Sequence, residues 1–77
     1  MEADELMTAQ LAALRTKTIG KEMRKGSVIS TEEFKCKLYA IMEPEQKALI
    51  EARIAPLGSD LREIMISLLR WQKELRP

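Results

Sequence analysis

The sequence contains no histidine, and it has a single cysteine, Cys36. Histidine is the side chain most often used for proton transfer near neutral pH, so general acid–base chemistry lacks its usual residue. A lone thiol can neither close an intrachain disulfide nor complete a tetrahedral zinc site without further nitrogen or sulfur ligands. The three glycines stand apart at positions 20, 26 and 58, so no glycine-rich phosphate loop is present. We therefore expect no enzymatic activity, no metal, no cofactor and no small-molecule substrate.

Long apolar runs and a strong charge imbalance are also missing. No segment approaches the roughly 20 apolar residues that span a bilayer. The first residues are acidic, and they lack the basic start and apolar centre of a signal peptide. The net charge is +1, which gives no global field toward nucleic acid or an acidic membrane. Together with the free cysteine, these features predict a cytoplasmic protein that does not associate with membranes.

Glycine and proline number three each, and only three aromatic residues occur. No run alternates apolar and polar residues as a half-buried strand does. We predict one all-α domain over residues 1–77, a small bundle of three to four short helices with roughly antiparallel neighbours. The predicted helices cover residues 3–25, 31–42, 44–55 and 60–75.

Local signals mark several helix ends. Ser30 and Glu33 have the spacing of a capping box, and Ile29 and Phe34 that of a hydrophobic staple. Pro44 is suited to the first position of the third helix, because its missing N–H would have no partner there. The fourth helix carries the strongest amphipathic pattern, an apolar arc of roughly 160°.

The first helix changes phase. Its first half has an apolar stripe that includes Met7, Leu11 and Leu14, whereas Ile19 and Met23 fall on the opposite side. Residues 16–20 include three β-branched side chains and a glycine, all weaker helix formers than alanine. We predict a kink or break near 16–20. The alternative is a continuous helix that presents a second apolar side to another surface.

Several apolar residues do not fit a single small core. Ile66 lies on the polar arc of the fourth helix, and five methionines suit adaptable contact surfaces. We interpret this surplus as an intermolecular interface, either a homodimer or a groove for a partner helix. The predicted apolar partner-binding residues are Ile19, Met23, Ile66, Leu69 and Trp71.

Residues 15–26 form a basic cluster, with five basic residues against one acidic residue. The candidate basic partner-binding residues are Arg15, Lys17, Lys21, Arg24 and Lys25. Three interpretations stay open: a solvated face, a contact for an acidic protein, or a nucleic-acid contact. The last would use basic residues within 15–37 and a helix-turn-helix formed by 31–55. The acidic first turn of the predicted recognition helix, with Glu45, argues against it because it repels phosphate.

These observations favour a non-enzymatic protein that binds another protein. We expect a regulator, an inhibitor or an assembly adaptor that acts through apolar helix faces, in the form of a homodimer. Small accessory proteins of phages and mobile elements share this size and helicity, a general expectation that no single residue here supports. The alternative is a nucleic-acid-binding regulator.

Overall fold

A computed structural model describes residues 3–75, which form an all-α bundle without strands. The fold class predicted from the sequence is confirmed. The second helix ends three residues earlier than predicted, and the other bounds differ by one residue at most. The helices are α1 (Ala3–Arg24), α2 (Thr31–Tyr39), α3 (Pro44–Ile54) and α4 (Leu61–Glu74), with a 3-10 turn (Ala55–Leu57) between α3 and α4.

Two of the predicted signals mark helix starts, the Ser30 cap of α2 and Pro44 of α3, whereas the reciprocal Glu33 side-chain bond of the predicted capping box does not form among the described residues. The Ser30 hydroxyl accepts a hydrogen bond from the Glu33 backbone N–H at 3.1 Å, which satisfies one of the free donors at the start of α2. The Asp60 carboxylate accepts from the Glu63 N–H at 3.2 Å and caps α4 in the same way. Pro44 is the first residue of α3, as its fixed φ predicts. Side-chain caps therefore mark the starts of α2 and α4, and a proline marks the start of α3.

The core lies where α1 packs against each of the other three helices. Its large side chains come mainly from α2, α3 and α4. The fully buried ones are Phe34, Leu38, Ile50, Ile54, Ile64 and Leu68. The helices α1 and α4 run antiparallel, because Met23 lies beside Leu61 in one surface depression while Leu14 and Leu69 line another. This pair forms one side of the molecule.

The helix α1 is continuous, so the break predicted near 16–20 is absent. The threonine hydroxyls in this stretch donate to backbone carbonyls one turn earlier: Thr16 to Ala12 at 2.7 Å and Thr18 to Leu14 at 3.0 Å. Because each hydroxyl finds its acceptor within the helix, these threonines are accommodated without interrupting it. Gly20 faces the Met65 side chain of α4, and a Cβ at this position would lie 3.5 Å from the Met65 methyl group, an ordinary contact distance. The alternative prediction, a continuous helix with two apolar sides, describes α1.

The orientation of α1 differs from the prediction. Its large apolar residues Met7 and Leu14 are 55% and 61% exposed, although the sequence pattern placed them on the apolar stripe of the bundle. The inner face consists mostly of small side chains. These buried residues are Thr8, Ala9, Ala12, Ala13, Thr16 and Ile19. The position of Ile19 in the core fixes the rotation of the helix, and small residues one and two turns earlier let α1 approach its neighbours closely.

Candidate functional site

A surface groove runs between the C-terminal half of α1 and the antiparallel α4. It consists of two adjoining depressions that share Met65 and Leu69. Its floor is apolar, and all of the floor side chains are partly exposed. The floor residues are Met23, Leu61, Met65, Ile66 and Leu69. We call this surface the α1/α4 groove.

The charged residues that line the α1/α4 groove are all cationic. Lys17, Lys21 and Arg24 border it from α1, and Arg62 borders it from α4. Within residues 4–75, none of these four side chains forms a salt bridge. Cations without a salt bridge in this range, set around an apolar floor, raise the local positive potential and attract negatively charged groups. The site is therefore amphipathic, with a positive rim.

The structure divides the predicted apolar residues into two groups. Met23, Ile66 and Leu69 lie together in the α1/α4 groove, although they come from helices far apart in the sequence. Ile19 and Trp71 belong to the core, where they are 2% and 6% exposed. This burial removes both from the exposed surface to which the sequence analysis assigned them. Ile19 is on the small inner face of α1, and Trp71 is on the core-facing stripe of α4.

The predicted basic residues are also divided. Lys17, Lys21 and Arg24 recur at intervals of four and three, so they share one side of α1 and line the groove. Lys25 is exposed beyond the last residue of α1 and does not line the groove. Arg15 is half-buried, and its Nε is buried without a hydrogen-bond partner among the described residues. The basic strip therefore reduces to three residues of α1, joined by one residue of α4.

That fourth cation, Arg62, and the floor residues Leu61 and Met65 were not among the partner-binding residues predicted from the sequence. A signal for them was present. The apolar arc of α4 spans roughly 160°, which is wider than one neighbouring helix covers. Ile66 extends that apolar surface into the polar arc. Both features indicate a helix whose apolar face continues past its contact with α1 into the solvent.

The region proposed for nucleic-acid recognition has a different character. The N-terminal turn of α3 borders a depression lined by four carboxylates, Asp4, Glu5, Glu43 and Glu45. Lys37 of α2 donates a hydrogen bond to the Glu22 carboxylate at 2.7 Å. This bond holds the pKa of Glu22 below its ordinary value and raises the pKa of Lys37. The groove cations thus lie on α1 and α4, while the start of α3 is acidic.

Among residues 3–75, no group of three or more potential ligands is placed to hold a metal ion. No helix in the same range combines the length and the apolar character needed to cross a membrane. Cys36 is exposed on α2. No protein-family model, curated protein or solved structure matches this chain.

Proposed function

We propose that this chain is a small protein-binding regulator or assembly adaptor, and that the α1/α4 groove holds an acidic amphipathic helix of its partner. One observation carries the proposal: the groove combines an apolar floor with a rim whose four charges are all positive. A partner that is apolar on one side and acidic on both flanks would satisfy both features. Apolar contact would supply most of the affinity, and the rim would supply selectivity and a faster association.

The dimensions of the floor support a helical partner. From Leu61 to Leu69 the floor follows α4 for about 12 Å, or roughly two helical turns. An incoming helix would place side chains spaced i, i+3 or i+4, and i+7 along this length. Met23 and Met65 have flexible thioethers that adapt to the shape of an inserted side chain. A groove between two helices is a common receptor for such a segment.

The groove residues are aliphatic, thioether, hydroxyl and cationic, so we propose that the protein acts by occupancy and not by catalysis. Covering a helix of the partner would inhibit the partner protein, or the complex would bring the partner to another protein. Action in the cytoplasm, and as a homodimer, belongs to the same proposal. The partner helix is defined by its chemistry, which a binding experiment can address directly.

The proposal predicts a charge preference that substitutions in the rim can remove. Two labelled peptides share one leucine-bearing helix face and differ only in having glutamate or lysine on its flanks. We expect the glutamate peptide to bind the wild-type protein more tightly. The double variant Lys17→Glu, Lys21→Glu should lose this preference, because its rim then carries two negative charges beside the two remaining positive ones of Arg24 and Arg62. Fluorescence anisotropy at low ionic strength measures both affinities.

The matched control for the groove floor is a position outside it. Ile66→Asp should weaken both peptides, since it places a charge on the apolar floor. Ile41→Asp changes an exposed isoleucine in the α2–α3 connection and should alter neither affinity. Equal binding of the two peptides by the wild-type protein would contradict the assignment of an acidic partner. Equal loss in the two aspartate variants would contradict the assignment of the groove.

The nucleic-acid alternative is tested with the same proteins. A labelled DNA duplex replaces the peptides, and its affinity is followed as salt is raised. Phosphate binding weakens steeply with salt, whereas docking on an apolar floor responds much less. A steep response that disappears in the Lys17→Glu, Lys21→Glu variant, without any peptide binding, would replace the protein-binding proposal with a nucleic-acid one.

A further inference from the structure

A second apolar surface lies on the solvent side of α1, and the fold does not use it. Met7 and Leu14 are more than half exposed, and Leu11 between them is half-buried. The exposed Thr18 continues the same side of the helix. The intervals of four, three and four residues are those that bring side chains to one seam of a coiled coil. Such a seam normally contacts another helix.

The reason for this exposure is the small inner face of α1. Alanine and threonine side chains fill most of the space toward α2, α3 and α4, so Met7 and Leu14 are left outside. The row extends at both ends into exposed charged residues, Asp4 three residues before Met7 and Lys21 three residues after Thr18. We call this row the α1 seam; its residues are Asp4, Met7, Leu11, Leu14, Thr18 and Lys21.

The charges of α1 are distributed unequally along its length. Asp4 and Glu5 lie in the first turn, and Lys21 and Arg24 lie in the last. Two copies of α1 side by side in the parallel sense would bring like charges together at both ends. In the antiparallel sense, the acidic end of each copy meets the basic end of the other. The seam is therefore complementary to itself in one direction only.

We propose that the α1 seam is the contact between two copies of this chain, packed antiparallel about a twofold axis. One register matches every seam residue. In that register Leu11 faces the partner's Leu14 at the centre, Met7 faces the partner's Thr18, and Asp4 faces the partner's Lys21. The twofold axis repeats each pair, as in an isologous interface. The apolar pairs occupy the middle, and ion pairs close the two ends.

This contact goes beyond the docking of a partner helix in the α1/α4 groove and does not depend on it. Leu14, Thr18 and Lys21 also line the groove, whereas Met7 and Leu11 do not. Substitutions at Met7 therefore test the seam alone, and substitutions at Ile66 test the groove alone. One helix face forms a small interface, so we expect a weak dimer that dissociates on dilution.

Engineered disulfides test the direction of the helices. Cys36 is exposed and is first replaced, Cys36→Ser, so that no natural thiol remains. Met7→Cys and Thr18→Cys are then introduced into separate chains, and both sites are exposed. In the proposed register, a cysteine at position 7 lies about 16 Å along the helix axis from position 7 of the other copy, and the same holds for position 18. Position 7 of one copy instead lies directly opposite position 18 of the other. We expect the mixture to form a reducible heterodimer and neither variant alone to form a homodimer.

Each outcome of the crosslinking decides the proposal. Homodimers of Met7→Cys alone would indicate a parallel or different contact and overturn the register. If circular dichroism shows folded helices and the mixture still forms no disulfide, the seam is not an interface between copies. Peptide binding in the groove is measured on the Met7→Cys protein, whose substituted residue does not line the groove, so failure of one proposal is distinguished from failure of the other.

A matched pair of variants tests the seam without added thiols. Met7 and Ile41 are both 55% exposed, so replacing either by lysine perturbs the fold to a similar extent. Met7→Lys should weaken the dimer roughly ten- to thirtyfold, because the change acts twice across the twofold axis and puts lysine near the partner's Lys21. Ile41→Lys should leave it unchanged. Sedimentation equilibrium from micromolar to millimolar protein measures both, and a wild-type mass of 8.8 kDa throughout would refute the dimer.

Discussion

The two faces of α1 respond to changes in side-chain size in opposite directions. Ala12 and Leu14 are two residues apart, but Ala12 is 0% exposed and Leu14 is 61% exposed. We compare Ala12→Leu, which enlarges a small residue on the inner face, with Leu14→Ala, which shortens a large residue on the outer face. The larger loss of stability should come from Ala12→Leu, the substitution that adds apolar atoms.

The magnitudes follow from burial. Ala12→Leu forces three additional carbon atoms into a packed interface, which typically costs about 1–3 kcal/mol. Leu14→Ala removes three carbons from a side chain that is mostly in water, so less than half of about 0.8 kcal/mol per carbon is lost. Alanine is also the better helix former, by a few tenths of a kcal/mol. The net cost of Leu14→Ala should therefore stay below about 1 kcal/mol.

Urea denaturation followed by circular dichroism measures both free energies of unfolding. The protein concentration is kept low, so that association of two copies does not contribute to the apparent stability. The slopes with denaturant should agree among the wild type and both variants, which shows that the same surface is exposed on unfolding. If the first helix were rotated as its leucines suggest, Leu14→Ala would cost about 2–5 kcal/mol and Ala12→Leu would be tolerated. That result would refute the described packing of α1.

Two further predictions concern titration. Burial and the nearby Glu51 carboxylate raise the pKa of Tyr39, whose hydroxyl is buried without a hydrogen-bond partner among the described residues. The contribution of Tyr39 to the free energy of unfolding is complete below the pKa of this tyrosine in the unfolded chain. It is lost as pH rises through the pKa of Tyr39 in the folded protein. Ultraviolet absorbance of this single tyrosine should show a midpoint above that of the unfolded chain, and an equal midpoint would contradict its burial. The Lys37 hydrogen bond lowers the pKa of Glu22, so the contribution of this pair is present above the unfolded pKa of Glu22 and is lost as pH falls through the folded pKa. Carboxyl NMR should detect the lowered pKa, and Lys37→Met should return it to its ordinary range; a pKa unaffected by that substitution would exclude the pair in solution.

The sequence predicted most of the fold because its strongest signals are local. Ser30 and Pro44 act within a few residues along the backbone, so their effect does not depend on the rest of the molecule. The wide apolar arc of α4 was equally informative, since Ile64 and Leu68 at its centre are fully buried. Helix type and helix bounds follow from such features without knowledge of the tertiary contacts.

The rotation of α1 could not be predicted in the same way. Hydrophobic periodicity gives most weight to large side chains, and in α1 those are Met7, Leu11 and Leu14 on the outside. The inner face is made largely of alanine and threonine, which contribute little to such a pattern. Ile19 was the informative residue, but its position out of phase with the leucines was interpreted as a break in the helix.

The candidate site was predicted only in part, because it depends on how two distant segments meet. Met23 and Ile66 were singled out for their misfit with the local pattern, and both line the α1/α4 groove. Trp71 was also predicted to bind a partner, but it is 6% exposed and belongs to the core. Its burial follows from the contact with α1 and α3, which the sequence of α4 alone does not specify.

The close approach of α1 to its neighbours also determines which substitutions the molecule accepts. Positions 8, 9, 12, 13 and 16 accommodate a methyl group or a hydroxyl that bonds within its own helix, and a random library should return only compact residues there. Met7 and Leu14 should vary freely in a selection for folding alone and become restricted once self-association is selected too. Distant relatives of this chain would then be recognised by a long first helix with compact residues at these intervals, and an alignment guided by its leucines would match the wrong side.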